Sequence, residues 1–196
     1  MKRIYKATAI FWACILSTQA LFAEGFLCKV YPADNEAYVE AALPRLKKTS
    51  ESVHVIMYMA SYYPRYPDSP TNLIIRELVK SKMRGVQVEV ILNRSDREYA
   101  EYATGENIKT AEFLAGKGVH VYLDSKSKAT HCKLVVIDRK TVLIGSANWT
   151  YSAATKNNET SLVIESEELA EHYIKYFEKI KKECVPFSKT VPASPR

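Results

Sequence analysis

The pattern of apolar and polar positions predicts alternating strands and helices along most of the chain. Short apolar runs predict strands at 26–31, 53–59, 86–92, 119–123 and 160–165. Apolar residues that recur every three or four positions predict helices at 35–48, 71–83, 106–115 and 167–182. Two late strands, 133–138 and 141–144, flank a tight turn and form a hairpin. This order indicates an α/β fold, with a mixed β-sheet flanked by helices on both faces.

Polar segments separate these elements and bound the domain. Loops are predicted at 61–70, which carries three prolines, and at 93–105 and 124–129. Residues 186–196 are rich in Pro, Ser and Lys and predict a flexible C-terminal tail. A chain of 196 residues buries roughly 70 % of its unfolded surface in one core. We therefore expect a single catalytic domain over residues 24–185.

The first 23 residues differ in character from the rest of the chain. They contain Lys2, Arg3 and Lys6 and no acid, then an apolar run over 7–16 that is short for a membrane span. This arrangement is typical of an export signal peptide, with an uncleaved anchor as the alternative. The protein is therefore expected to be periplasmic, with secreted or membrane-anchored forms as alternatives. Contact with a membrane is expected only if the segment stays uncleaved.

Composition and charge exclude several classes of protein. Hydrophobic residues at 47 % and charged residues at 26 % are ordinary for a globular chain, which excludes a disordered, collagen-like or polytopic membrane protein. The formal charge of +6 falls to +3 once the three basic residues of 1–23 are subtracted. Net charge therefore permits a nucleic acid partner but is a weak indicator of one.

Cysteine and histidine positions bear on disulfides and metals. Cys28 and Cys184 lie near the two ends of the domain, so a disulfide is possible in an oxidising compartment, with two free thiols as the alternative. The chain has no Cys-x-x-Cys, and its four histidines show no metal-ligand spacing; they are His54, His120, His131 and His172. No metal or cofactor is expected.

The candidate catalytic residues begin just before the late hairpin. His131 and Lys133 are two positions apart, so on a strand their side chains project from the same face, while Cys132 points into packing. A neutral imidazole beside an ammonium suits attack on a phosphate. The Lys neutralises the anion, and the His supplies the nucleophile or the proton.

Further polar residues follow the pair. Gly145 would let the backbone approach an anionic ligand, and Ser146 and Asn148 can donate hydrogen bonds to phosphate oxygens. Glu159 can orient an imidazole by accepting its second N–H. Asp138 taken alone is a residue that favours the hairpin turn. The combination and its spacing point to a phosphate site more strongly than any member does.

These residues resemble a known signature. The pattern His131-x-Lys133-x4-Asp138-x6-Gly145-Ser146-x-Asn148 resembles the HKD motif of the phospholipase D superfamily. The segment Lys156-Asn157-Asn158-Glu159 resembles the small bacterial Nuc-type endonucleases that carry one motif per chain. The resemblance is close over residues 130–165 and loose over the rest of the domain.

The resemblance implies a two-step reaction without a metal. One His attacks phosphorus and forms a phosphohistidine, a second His protonates the leaving oxygen, and water completes the hydrolysis. His131 lies in the single His-x-Lys of the chain, so the resemblance implies a homodimer that brings two copies of His131 together. His131 is then the nucleophile in one subunit and the general acid in the other.

The resemblance also assigns roles to the remaining motif residues. Lys133 and Asn148 bind the phosphate, and Ser146 supports that binding. Glu159 orients His131. Asp138 completes the catalytic motif in a structural role, by steadying the hairpin behind the site.

The substrate is less constrained, because the superfamily includes nucleases, lipid phosphodiesterases and phosphatidyl transferases. Tyr62, Tyr63 and Arg65 interleave aromatics with a cation, which suits base stacking and phosphate contact; a packed loop is the alternative. Lys126 and Lys128 either add phosphate contacts or form a solvated turn. We expect a non-specific endonuclease acting on DNA and/or RNA. The alternatives are a lipid phosphodiesterase and an exported nucleic-acid-binding or DNA-uptake protein with secondary cleavage.

Overall fold

The computed structural model describes residues 25–125 and 128–188. The expected export signal, Lys126 and residues 189–196 of the expected tail lie outside the described residues. The strands are β1 (Lys29–Pro32), β2 (Ser52–Met57), β3 (Gln87–Leu92), β4 (His120–Leu123), β5 (Lys133–Ile137), β6 (Thr141–Gly145), β7 (Ser161–Glu165) and β8 (Val185–Pro186). The helices are α1 (Ala37–Lys48), α2 (Pro70–Met83), α3 (Glu101–Ala115), α4 (Tyr151–Thr155) and α5 (Glu167–Lys181).

All eight strands form one mixed sheet, in the order β1-β7-β6-β5-β2-β3-β4-β8. The strands β2, β3 and β4 are parallel neighbours, and α2 and α3 make the crossovers between them. The β5–β6 hairpin joins this parallel half to the antiparallel strands β7 and β1. The predicted α/β fold with a mixed sheet is confirmed.

The sheet is covered on both faces. Along β2, Val53, Val55 and Met57 pack in the larger core with α1, α2 and α3. Ile56 points the other way and packs with Phe177 of α5 in the smaller core. This alternation follows from the strand period of two and explains why β2 is buried over its whole length.

The segment 93–105, predicted as a loop, contains the start of a helix. A 3-10 turn spans Glu98–Ala100, and α3 begins at Glu101. The helix hides its period because half of its buried positions are polar: Glu106, Asn107 and Thr110 accompany Ala103, Ala111 and Leu114. The five-residue α4 is too short to show any hydrophobic period and was not predicted.

The predicted C-terminal tail, 186–196, includes residues that belong to the folded domain. Val185–Pro186 form β8, which pairs with β4, and Phe187 N donates to Val121 O at 2.8 Å. Phe187 also packs against the larger core, so the domain extends beyond residue 185. Among the described residues, no helix is both long and apolar enough to cross a bilayer.

The possible disulfide between Cys28 and Cys184 is wrong for a single chain. Cys28 precedes β1 and Cys184 precedes β8, and these strands are the two opposite edges of the sheet. Seven spacings of about 4.8 Å separate the edges, whereas a disulfide needs Cα atoms within about 7 Å. The three described cysteines are free. Cys132 packs toward α5 as predicted, with Sγ 3.9 Å from the Tyr176 hydroxyl.

Candidate active site

His131 and Lys133 lie together at the start of β5. Tyr58 N donates to Cys132 O at 2.8 Å, which continues the pairing of β2 with β5 past the last ladder residue and fixes the backbone beside His131. Lys133 Nζ is 3.2 Å from Nε2 and 3.3 Å from Nδ1 of the His131 ring, and 3.0 Å from His131 O. The side-by-side placement predicted from strand alternation is confirmed.

The two side chains differ in exposure. Lys133 is only 8 % exposed, whereas His131 faces solvent. Burial lowers the pKa of His131 below its usual value, and the Lys133 ammonium lowers it further. Burial also lowers the pKa of Lys133, against the opposing effect of Cys132 and the Glu159 carboxylate. The site therefore favours a neutral imidazole at physiological pH.

The Tyr58 ring lies against both His131 and Lys133. Its ring centroid is 4.6 Å from that of His131 and 5.0 Å from Lys133 Nζ. The ring shields the ammonium from water and contacts it through a cation–π interaction. Sequence reasoning placed Tyr58 inside an apolar strand and missed it, although its position at the end of a buried strand was a usable signal.

Buried asparagines hold the backbone around His131. Asn107, which is fully buried, donates to Tyr58 O at 2.7 Å and to Asn93 O at 2.8 Å, and it accepts from Ala60 N at 2.8 Å. Asn93 Oδ1 accepts from Thr130 N at 3.0 Å, directly before His131. These contacts lie at the carboxyl ends of β2 and β3, the edge where open α/β sheets bind ligands. Sequence reasoning missed both asparagines.

Glu159 does not contact the histidine it was expected to orient. Its carboxylate accepts from the Ser146 hydroxyl and from Asn157 Nδ2, the latter at 2.9 Å. Among the described residues, no hydrogen bond joins Glu159 to the His131 ring. The Ser146 hydroxyl, expected to donate to phosphate, donates to Glu159 instead and accepts from Thr160 N at 3.1 Å. In this structure Ser146 and Glu159 therefore bond each other, and their expected roles toward phosphate and His131 stay predictions.

Asn35 supports Glu159 from the far end of the sequence. Asn35 Oδ1 accepts from Glu159 N at 2.7 Å, and Asn35 N donates to Glu159 O at 3.2 Å. Asn35 has a φ of 51°, a left-handed conformation that Asn adopts more readily than most residues. Sequence reasoning read Asn35 only as the start of a helix.

Asn148 is held between two buried neighbours, Ala147 and Trp149. Trp149 N donates to Met59 O at 2.9 Å, and Trp149 Nε1 donates to the Tyr38 hydroxyl at 3.0 Å. Asn148 Oδ1 is buried and has no hydrogen-bond partner in the part of the chain that the structure describes. The buried Trp149 thus fixes the backbone that follows Asn148 beside Met59, the residue after Tyr58.

Gly145 and Asp138 have structural roles in this chain. A Cβ on Gly145 would lie 2.6 Å from Ser161 Cα and closer still to Thr160 O, so the glycine serves close packing of β6 on β7 rather than a ligand. Asp138 lies at the opposite end of β5 from Lys133 and accepts from Thr49 Oγ1 at 2.6 Å. Asp138 therefore lies away from the His131–Lys133 pair, and its expected structural role agrees with its contacts.

The residues of loop 61–70 that were predicted to contact substrate lie in different environments. Tyr62 stacks on Phe113 with ring centroids 3.7 Å apart and packs against the larger core, in agreement with the packed-loop alternative. Tyr63 and Arg65 instead line an open cleft of about 740 Å³. Lys128 is exposed in the segment before His131.

One cluster outside this site contains groups of the kind that bind metals. Ligand atoms of His54, Glu89 and Glu178 lie within 4.8 Å of one another under α5. The Lys181 ammonium is 3.0 Å from a carboxylate oxygen of each Glu, so it already supplies a positive charge there. Burial lowers the pKa of His54, against the opposing carboxylates. The expectation of no metal stays a prediction.

Comparison with known proteins identifies relatives of this site and fold. The family described as "Cardiolipin synthase, PLD-like domain" matches residues 43–181. The chain is 32 % identical over 130 residues to "Phospholipase D" from Rickettsia typhi, covering 66 % of this chain and 56 % of the relative. It is 34 % identical over 115 residues to "Mitochondrial cardiolipin hydrolase" from Xenopus tropicalis, covering 59 % and 51 %. The chain spans about half the length of the curated relatives it matches.

Solved structures show the same fold. Nuc from Salmonella typhimurium superposes with a TM-score of 0.68 at 23 % identity, over 83 % of this chain and 100 % of that one. NucT from Helicobacter pylori gives 0.62 at 22 % identity, over 82 % and 100 %. The matched family model covers more than half of the residues, including the whole span from Tyr58 to Glu159. The chain belongs to the phospholipase D superfamily, in the PLD-like domain family and with a Nuc-like fold.

Proposed function

We propose that the protein is a metal-independent phosphodiesterase that hydrolyses nucleic acid, DNA and/or RNA, through a phosphohistidine on His131. The observation that carries this proposal is the buried Lys133 ammonium 3.2 Å from an exposed imidazole. The ammonium attracts a phosphodiester, and the lowered pKa of His131 keeps its ring nitrogen unprotonated for attack.

The proposed reaction has two steps. A ring nitrogen of His131 forms a bond to phosphorus, the bond to the leaving oxygen breaks, and a second imidazole gives its proton to that oxygen. The same second imidazole then takes a proton from water, whose oxygen attacks phosphorus and releases His131. Lys133 and Asn148 hold the non-bridging oxygens, on which negative charge accumulates in both transition states.

The second imidazole is proposed to come from a second copy of the chain. The sequence contains a single His-x-Lys, at His131. A two-fold interface is self-complementary, so one sequence can build a site with two copies of His131. The expected export through 1–23 would place this homodimer in the periplasm.

Nucleic acid is the favoured substrate because the cleft lined by Tyr63 and Arg65 combines aromatic rings with a cation. Its loop begins at Ser61, which donates to the backbone of Trp149, the residue after Asn148. The Nuc-like fold is compatible with this substrate. Lipid phosphodiester hydrolysis is the second candidate. It is favoured by the relatives named phospholipase D and mitochondrial cardiolipin hydrolase, which are 32 % and 34 % identical to this chain.

The test compares substrates and variants in the presence of chelator. Purified protein is incubated with plasmid, single-stranded DNA, RNA and cardiolipin or phosphatidylcholine vesicles. We expect nucleic acid to be degraded and vesicles to stay intact, with His131→Asn at least about 10³-fold slower because the nucleophile is lost. His120→Asn, an exposed histidine on β4, is the matched control. Full activity of His131→Asn would contradict the mechanism, and hydrolysis of vesicles alone would favour the lipid candidate.

A mixed dimer tests the shared site. Differently tagged wild-type and His131→Asn chains are co-expressed, and the heterodimer is purified on both tags. The heterodimer has one His131 instead of two, so we expect it to fall far below half of the wild-type rate. A heterodimer with half the wild-type rate would show that each chain works alone.

A further inference from the structure

We propose that the cleft between loop 61–70 and the start of α4 is a subsite that stacks one nucleobase beside the scissile phosphodiester. This inference rests on the proposed function, since it takes the substrate to be a nucleic acid. It adds Tyr66 and Tyr151 to the residues expected to contact substrate and removes Tyr62.

The walls of the cleft are aromatic. Tyr63, Tyr66 and Tyr151 line a space of about 740 Å³, and Tyr66 and Tyr151 are 68 % and 46 % exposed. Single exposed rings are common on protein surfaces, but rings gathered around one cavity form a contiguous aromatic surface that favours a flat partner. A nucleobase offers a flat π-face to such rings whatever its identity, which suits an enzyme without sequence preference.

Charge at the rim favours an anionic chain. Arg65 lies in the cleft wall, and Lys156 Nζ lies 5.6 Å from the centroid of the Tyr151 ring. Asp68 is the acidic residue in the same lining. Two cations around one acid leave a net positive rim for the phosphates on either side of a stacked base.

The cleft is held in shape before any ligand binds. Asn72 is fully buried; its Oδ1 accepts from Tyr63 N at 2.9 Å, and its Nδ2 donates to Tyr66 O at 2.7 Å. Tyr66 N also donates to Tyr63 O at 2.9 Å. The loop therefore does not have to be ordered by the substrate, which lowers the entropic cost of stacking.

Hydrogen bonds connect the cleft to the backbone that follows Asn148. Tyr151 N donates to the Tyr63 hydroxyl at 3.2 Å, and Ser61 N donates to Trp149 O at 2.8 Å. Tyr151 is three residues beyond Asn148, so their Cα atoms are at most about 11 Å apart. A phosphate held by Asn148 would thus have its neighbouring base within reach of the cleft.

The test measures the effect of Tyr66→Ala on two substrates, one with bases and one without them beside the cleaved phosphodiester. Short single-stranded oligonucleotides carry either normal bases or abasic residues on both sides of the cleaved phosphodiester. For the wild type, removing the bases is expected to lower kcat/KM about 5- to 100-fold, since stacking is lost. Tyr66→Ala is expected to lose a similar factor on the normal oligonucleotide and almost nothing on the abasic one. Tyr99→Ala, with a 71 % exposed ring outside the cleft lining, is the matched control and should match the wild type on both.

Each other outcome has a definite meaning. An equal loss on both oligonucleotides would overturn the subsite, because the tyrosine would then act only on structure. Loss of vesicle hydrolysis with unchanged oligonucleotide cleavage would assign the cleft to lipid. A Tyr66→Ala protein that no longer self-associates in sedimentation would assign it to a second copy of the chain. If the wild type cleaves neither oligonucleotide, the nuclease proposal itself fails, and the subsite with it.

Discussion

Asn35 and Glu159 lie 124 residues apart in the chain and are joined by two hydrogen bonds, of which Glu159 N to Asn35 Oδ1 is 2.7 Å long. The Glu159 carboxylate in turn accepts from the Ser146 hydroxyl. Its charge also opposes the lowering of the Lys133 pKa. A residue that precedes α1 therefore positions Glu159, whose charge acts on Lys133.

Variants at Asn35 separate positioning from folding. Asn35→Gly keeps the left-handed backbone but removes Oδ1, so we expect kcat/KM to fall about tenfold or more because Glu159 is displaced. Asn35→Ala should lose the same activity and also about 1 kcal/mol of stability, since Ala is strained at a φ of 51°. Asn35→Asp keeps the acceptor and is the control. The measurements are steady-state kinetics and urea unfolding; full activity in Asn35→Gly would contradict the role.

The ionisation of His131 responds to Lys133. Its folded-state pKa is lowered first by burial and then by the ammonium, so we expect an NMR titration midpoint below the ordinary value of about 6.5. Lys133→Met removes the positive charge, which makes the imidazolium less unfavourable and raises the midpoint. Lys128→Met, at an exposed lysine, should leave it unchanged. A midpoint that falls or stays constant in Lys133→Met would contradict the electrostatic coupling.

The proposed pairing of two His131 side chains predicts a bell-shaped dependence of rate on pH. One imidazole must be neutral for attack and the other protonated to release the leaving oxygen, and two close groups titrate in separate steps. The acidic limb should fall below about 6.5, because that limb reports the nucleophile with its lowered pKa. Rates are measured on a single-stranded oligonucleotide at constant ionic strength. A flat profile through this range would exclude the pair.

The sequence predicted the centre of the site better than its surroundings, for a physical reason. His131 and Lys133 share a face because strand alternation is a local property that two-residue spacing fully determines. The partners of Glu159 and Gly145 depend on how β6, β7 and the chain before α1 meet, which no local pattern encodes. No local pattern therefore predicts that Ser146 and Asn35 are hydrogen-bond partners of Glu159.

Elements built on polar core residues were also hard to predict. Asn107 and Asn72 are fully buried and, among the described residues, bond backbone groups alone, so they stabilise loops that carry no hydrophobic period. Tyr62 and Tyr63 are adjacent in a Tyr-rich loop, yet one stacks on Phe113 and the other lines a cleft. Composition shows that the loop is aromatic. Only its tertiary contacts show which tyrosine packs against the core and which one lines a cleft.

Asp138 is expected to affect stability and not catalysis. Burial opposes its ionisation, but hydrogen bonds from Thr49 and from the backbone of Glu51, Ser52 and Ser50 lower its pKa below the usual value. A lowered folded-state pKa contributes stability above the unfolded value of about 3.9, and this contribution is lost as the pH falls through the folded value.

Asp138→Asn should therefore destabilise the protein by about 1–3 kcal/mol at pH 7, because an amide oxygen replaces a charged acceptor. The difference from the wild type should shrink below about pH 4 as the wild-type carboxylate is protonated. Urea unfolding at several pH values measures it, and kcat at pH 7 should match the wild type. A large loss of kcat in folded Asp138→Asn would return this residue to the catalytic set.

Gly145 should tolerate no side chain, whereas Gly105 should. A Cβ at Gly145 would meet Ser161 Cα at 2.6 Å, and both atoms belong to paired strands that cannot separate without losing hydrogen bonds. Gly145→Ala is therefore expected to cost about 1–3 kcal/mol, as for other overpacked positions. Gly105 lies in α3 with no atom within 4 Å of an added Cβ, so Gly105→Ala should be neutral or stabilise by up to about 1 kcal/mol. Urea unfolding of both variants measures the contrast.

Because Ser146 N donates to Thr160 O at 2.9 Å directly beside this contact, Gly145→Ala should also lower kcat, while Gly105→Ala should not. Equal stability and activity in the two variants would show that β7 shifts freely and that the Ser146–Glu159 pair is not held by its packing.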